Sequence, residues 1–157
     1  MKSRLYLETI IPSYLVARRS RDLRLAADQE TTEEWWESRR QDFELFISQT
    51  VVREVSRGDA NFAAARLDHL RGLPLLPRTA TASALIAHLL ADGIIPPAAE
   101  DDAVHIGLAA AHGMEYLLTW NCRHINNHHL RTRIERACGA FGLACPDICT
   151  PAELMKP

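Results

Sequence analysis

The strongest constraint on this chain is its rhythm. Apolar runs of strand length, at residues 4–7, 43–47, 73–76, 115–118 and 141–149, alternate with helical stretches of ten or more residues. Parallel strands need crossovers of that length, so the pattern predicts an α/β fold with a mainly parallel sheet covered by helices on both faces. Right-handed crossovers follow by default. In such a sheet, ligands bind outside the carboxyl ends of the strands, where the connections diverge.

The helices are marked by their own signals. Pro12 sets the turn into a helix over 13–19, and a helical pattern runs over 21–29. Thr31 with Glu34 reads as a capping box that opens a separate segment bearing Trp35 and Trp36. Ser48 reads as the N-cap of a helix that carries Glu54 and ends at Gly58. Further helices are expected over 61–70 and 80–91, from the acids Glu100, Asp101 and Asp102 to Gly113, and over 130–138, with a brief terminal one over 150–154.

With 157 residues, 47% of them apolar, the chain has material for one core, and a single domain over 1–157 is expected. No segment approaches the roughly 20 consecutive apolar residues of a membrane span, and the start of the chain lacks a leader pattern. The expectation is therefore a soluble, cytoplasmic protein with no membrane partner. Cys122, Cys138, Cys145 and Cys149 show none of the C-x2-C spacing of structural zinc sites. Cys138 and Cys145 read as core fillers. A net charge of −2 excludes a globally basic nucleic-acid binder, though Arg18, Arg19, Arg21 and Arg24 cluster locally, as do Arg131, Arg133 and Arg136.

Acidic side chains fall where the ligand site of this fold should be. Glu8 follows the first strand, Glu54 lies early on the helix after the second, Asp102 opens the helix before 115–118, and Asn121 follows that strand. Carboxylates gathered without basic partners repel one another unless their pKa values rise or a cation binds. Oxygen ligands suit Mg²⁺ or Mn²⁺ better than zinc. The chemistry implied is phosphodiester hydrolysis by a metal-activated water. No nucleophile elbow, phosphate-binding P-loop or dinucleotide fingerprint competes. Taken singly, Asp101 and Asp102 also fit helix-capping acids and Glu54 an exposed helical charge.

Four blocks, Tyr6-Leu7-Glu8-Thr9 with Pro12-Ser13-Tyr14, Ser48 through Glu54-Val55, Asp102-Ala103-Val104-His105-Ile106, and Leu117-Leu118-Thr119-Trp120-Asn121, resemble the PIN-domain family. The likeness is to the VapC-type toxins of bacterial toxin–antitoxin pairs, and it spans essentially the whole chain. It implies a three-layer α/β/α sandwich, a Mg²⁺- or Mn²⁺-dependent ribonuclease, a homodimer, and a small antitoxin covering the cleft. By position, Glu8, Glu54 and Asp102 are the expected metal ligands, and together with Asn121 the expected catalytic set. Glu8 stands where the family usually carries Asp, and Asn121 where many members carry a further Asp. His124 and Asn126 fall in the following loop, with helix capping as the favoured role.

Arg18, Arg19 and Arg21 are the candidates for holding an RNA backbone. Trp120 could stack a base, whereas Trp35 and Trp36 fit core or dimer anchors better, and Tyr14 and Trp36 are candidate dimer contacts. Two further functions compete: a non-catalytic PIN-like module binding RNA or protein, and, more remotely, a zinc-stabilised scaffold.

Overall fold

The computed structural model describes residues 1–155; the last two positions of the expected domain lie outside the described residues. Four strands, β1 (Ser3–Leu7), β2 (Phe43–Phe46), β3 (Tyr116–Leu118) and β4 (Asp147–Cys149), form one parallel sheet in the order β2-β1-β3-β4. β1 and β3 form the centre of the sheet, where Leu5, Tyr6, Leu7, Leu117 and Leu118 are all fully buried. The connection after β1 runs to one side of the sheet and the connection after β3 to the other. The topological switch point therefore lies between the carboxyl ends of β1 and β3.

Seven α-helices among the described residues clothe the sheet. The α1 (Ile10–Val16), α2 (Leu23–Ser38) and α4 (Ala60–His69) helices pack together, as do α5 (Ala80–Ala91), α6 (Glu100–Ala111) and α7 (His128–Ala140), while α3 (Gln49–Val55) touches both α4 and α6. This is the expected α/β sandwich, with helices in both outer layers. α5 and α6 make the most extensive contact between helices. A Cβ built on Gly107 would stand 2.5 Å from Ile86 Cγ1, so only glycine lets the two axes come this near. No helix among the described residues is long and apolar enough to cross a membrane.

Several expected boundaries shift, each for a physical reason. α2 is one helix with Asp22 as its N-cap, so Thr31 caps nothing; its hydroxyl donates to the Ala27 carbonyl inside a helix already under way. The helix expected over 13–19 ends at Val16, which leaves Arg18, Arg19 and Arg21 in a loop. The run 73–76 contributes only a bridge between Ile47 and Leu75, because Pro74 within it and Pro77 just after it have no N–H to extend the ladder. The last strand shrinks to Asp147–Cys149, since Phe141 closes α7 and Gly142 turns the chain at φ 70°. In place of the terminal helix expected over 150–154, residues 151–154 form turns.

The amino ends of the strands meet an aromatic cluster. The Trp35 ring centroid lies 5.9 Å from that of Phe43, whose own ring meets Tyr116 edge-on at 5.7 Å. Trp36, also buried, packs edge-on against His69 with the Arg40 guanidinium over its ring. Both indoles are therefore core residues and not free to stack bases, and the buried Trp36 offers no face to a second copy. Among the described residues, Trp35 Nε1 is the one buried side-chain polar atom without a hydrogen-bond partner.

Candidate metal centre

At the switch point, the chain leaves β1 through Glu8, whose N–H continues the ladder to the Leu118 carbonyl and whose side chain turns inward, only 3% exposed. Its Oε1 accepts from the Thr119 hydroxyl at 2.6 Å and its Oε2 from the Ile10 N–H at 3.1 Å. The carboxyl is thus clamped between the ends of the two central strands. Burial pushes its pKa above the ordinary value, against the opposing pull of His105, Thr119 and the Ile10 N–H.

Glu54 arrives from α3, whose N-cap is Ser48 as expected, Oγ accepting from the Val51 N–H. Its Oε1 accepts from the Thr9 hydroxyl at 2.6 Å and from His105 Nε2 at 2.7 Å. Burial works to raise its pKa, but the hydrogen bond and charge of His105, with Thr9, prevail and hold it below the usual value. No hydrogen bond to its Oε2 occurs among the described residues.

His105 is fully buried on α6. Burial would lower its pKa, yet Glu54, Glu8 and Asp102 together raise it above the ordinary imidazole value. One ligand atom from each of Glu8, Glu54 and His105 lies within 4.8 Å of the others. Both ring nitrogens of His105 are already engaged, Nε2 by Glu54 and Nδ1 by the Tyr6 hydroxyl at 2.7 Å. The available donors are therefore carboxylate oxygens, each with lone pairs to spare. Carboxylate oxygens of this kind are the donors that Mg²⁺ and Mn²⁺ take, with water filling the remaining positions.

Asp102 does not join this group. Together with Glu54 it lines an open cleft of about 520 Å³, bounded by Arg57, the Pro97–Ala99 turn, Glu100, Asp101 and His124, but its Oδ2 is bonded to His124 Nδ1 at 2.9 Å. Of the metal set expected from sequence, Glu8 and Glu54 converge with His105, while Asp102, as partly buried as Glu54, is held by His124 instead. Asn121 serves the loop: its Oδ1 accepts from the N–H groups of Arg123 and His124, and its own N–H donates to Thr119 Oγ1. Capping of α7 falls to Asn127 and not to His124 or Asn126.

Among the basic candidates, Arg19 is paired with Glu33 at 2.9 Å and Arg18 lies over the Phe62 ring, while Arg21 is exposed. Trp120 stacks on Tyr14 and donates from Nε1 to Thr32. The cysteines form no disulfide, and none belongs to the metal-ligating group. Cys138 and Cys149 are buried, and burial pushes the Cys149 thiol up to about 12.

Sequence reasoning assigned no site role to Thr9, Thr119, Tyr6 or His105. The usable signal was the spacing of Asp102 and His105, which at i and i+3 share one helix face. Compared with known proteins, the chain matches no family model and no curated protein.

Proposed function

We propose that this chain is a Mg²⁺- or Mn²⁺-dependent endoribonuclease of the PIN/VapC toxin type, acting in the cytoplasm as a homodimer and restrained by a small antitoxin. The observation that carries this reading is the Glu8–Glu54 pair, converging within 4.8 Å at the switch point of a parallel sheet and opening through Glu54 onto the cleft. A divalent ion held by these two carboxylates would supply an activated water and would stabilise charge on the scissile phosphate. Thr119 and the Ile10 N–H hold Glu8 in place, Thr9 and His105 hold Glu54, and the Asp102–His124 pair stands on the cleft wall where the RNA backbone would enter. Arg57, which lines the same cleft, is an arginine available to a phosphate.

Purified protein incubated with a mixed, structured RNA pool in Mg²⁺, Mn²⁺ or EDTA tests the reading, with Glu54→Gln and Asp102→Asn run alongside. Metal-dependent cutting lost in Glu54→Gln supports it. A folded protein inert in every metal rejects it.

One observation favours the second reading, a non-catalytic PIN-like module binding RNA or protein. His105 brings positive charge against both glutamates, and Asn121 adds none of the negative charge an acid there would supply. RNA binding that persists in EDTA, without cleavage in any metal, is the result that reading expects.

A further inference from the structure

The hydrogen bonds around His105 close on themselves. Ser48 caps α3; its Oγ meets the Tyr6 hydroxyl at 2.7 Å; that hydroxyl meets His105 Nδ1 at 2.7 Å; and His105 Nε2 meets Glu54 Oε1 at 2.7 Å, on the same helix that Ser48 begins. The loop of contacts thus leaves α3 at its N-cap, passes through β1 and α6, and returns to α3 at Glu54. Tyr6, Ser48 and His105 are all completely buried.

A carboxylate accepts hydrogen bonds, so Nε2 carries a proton in either charge state of the ring. In the neutral imidazole, Nδ1 then accepts from Tyr6, Tyr6 accepts from Ser48, and Ser48 accepts from the Val51 N–H. Every donor in the chain is used once and all bonds run in one direction, an arrangement in which each bond polarises the next. A stripped-down core would need none of these groups. Leucine or phenylalanine at positions 6 and 105 would fill comparable space without any desolvation penalty.

We propose that Tyr6, Ser48 and His105 form a positioning ring that holds the Glu54 carboxylate in its metal-binding orientation before the ion arrives, with Oε1 tied down and Oε2 presented to the site. This rests on the metal-centre reading above and deepens it. The ring touches neither ion nor RNA, and its three members act through Glu54. Partners that orient a metal ligand in this way are commonly worth tenfold or more in affinity.

Two N-caps in the molecule make a matched control. Ser48 caps α3 and Thr79 caps α5, each accepting one N–H from the residue three positions on, but only Ser48 belongs to the ring. The experiment is to titrate Mn²⁺ into full-length wild type, Tyr6→Phe, Ser48→Ala and Thr79→Ala, reading Kd from the loss of the free-ion electron paramagnetic resonance signal. Melting temperature, and kcat and KM for RNA, are measured on the same samples. Tyr6→Phe and Ser48→Ala are expected to weaken Mn²⁺ about tenfold and to lower kcat with KM unchanged. Thr79→Ala is expected to lower melting temperature alone. If Tyr6→Phe and Ser48→Ala melt earlier yet bind Mn²⁺ as wild type does, the ring only supports the fold and the inference falls. If wild type shows no saturable Mn²⁺ binding, the metal-centre reading itself falls and takes this one with it.

Discussion

The two ends of the same sheet are built on opposite rules. At the amino ends, Trp35, Trp36, Phe43 and Tyr116 pack ring against ring, and one indole N–H is left unpartnered. At the carboxyl ends, Glu8, Glu54, His105, Tyr6 and Ser48 are buried or nearly so, and every one of them is hydrogen-bonded. Apolar area explains the first end, since it stabilises in proportion to what it removes from water. It does not explain the second, where buried carboxylates are costly and are kept only by an accumulation of donors. Stability and the proposed metal chemistry thus fall at different ends of one sheet, and variants at the two ends should separate.

The largest effect is expected from Trp35→Ala, which removes a fully buried indole and should cost about 3–5 kcal/mol in chemical denaturation. The surviving folded protein should keep wild-type Mn²⁺ affinity; a parallel loss of affinity would break the separation. Next is Glu54→Asp, which withdraws the carboxylate by one methylene from the ion while barely changing volume. RNA cleavage should fall about 100-fold with little change in melting.

Gly107→Ala sharpens the comparison from between the two ends. The added methyl must push α5 from α6, at a cost of about 1–3 kcal/mol. Because α6 also carries Asp102 and His105, cleavage should drop beyond what lost stability explains. Full activity in the folded fraction would show that α6 can move without disturbing the site.

The smallest effect concerns pH in metal-free protein. Glu8 is raised above its ordinary 4.5 and His105 above 6.5, so their contributions are complete below those values and are lost as pH rises through the raised ones. Glu54 is lowered, so its contribution is present above 4.5 and is lost only as pH falls through the lowered value. Melting temperature in EDTA should therefore be highest on the mildly acidic side of neutrality and decline toward pH 8. Glu8→Gln should flatten that decline and raise the pH 8 melting temperature by a few degrees while abolishing Mn²⁺ binding. A steeper decline in the variant would show that Glu8 is not the strained group.

Much of this architecture was legible because it depends on composition over several residues. The strand at 4–7 lies within β1, and 80–91 is α5 to the residue, since an Ala- and Leu-rich run bounded by Thr79 and Gly93 leaves little choice. Thr31 misled because a threonine three residues before Glu looks the same whether it begins a helix or donates back within one. Glu8 and Glu54 were legible from their places after strands. Their partners were not: His105 sits in an apolar helical run that reads as core, which it also is. Thr9 and Thr119 matter only through side-chain directions that spacing does not encode.

The hydrogen bond between Glu8 and Thr119 spans 111 residues of sequence, and β1 pairs with β3 across a comparable interval. During synthesis the first strand can find β2 early, but its other edge stays open until residues 116–118 have emerged. Until then the acid at the end of β1 has no hydroxyl to clamp it, and no shared pocket exists. More than a hundred residues separate the two sides of the site, and both must be made before it can form. Such long-range parallel pairing is also slow to form. The same topology that puts the two central strand ends side by side thus works as a timer, delaying the appearance of the site until residues 116–119 have been made.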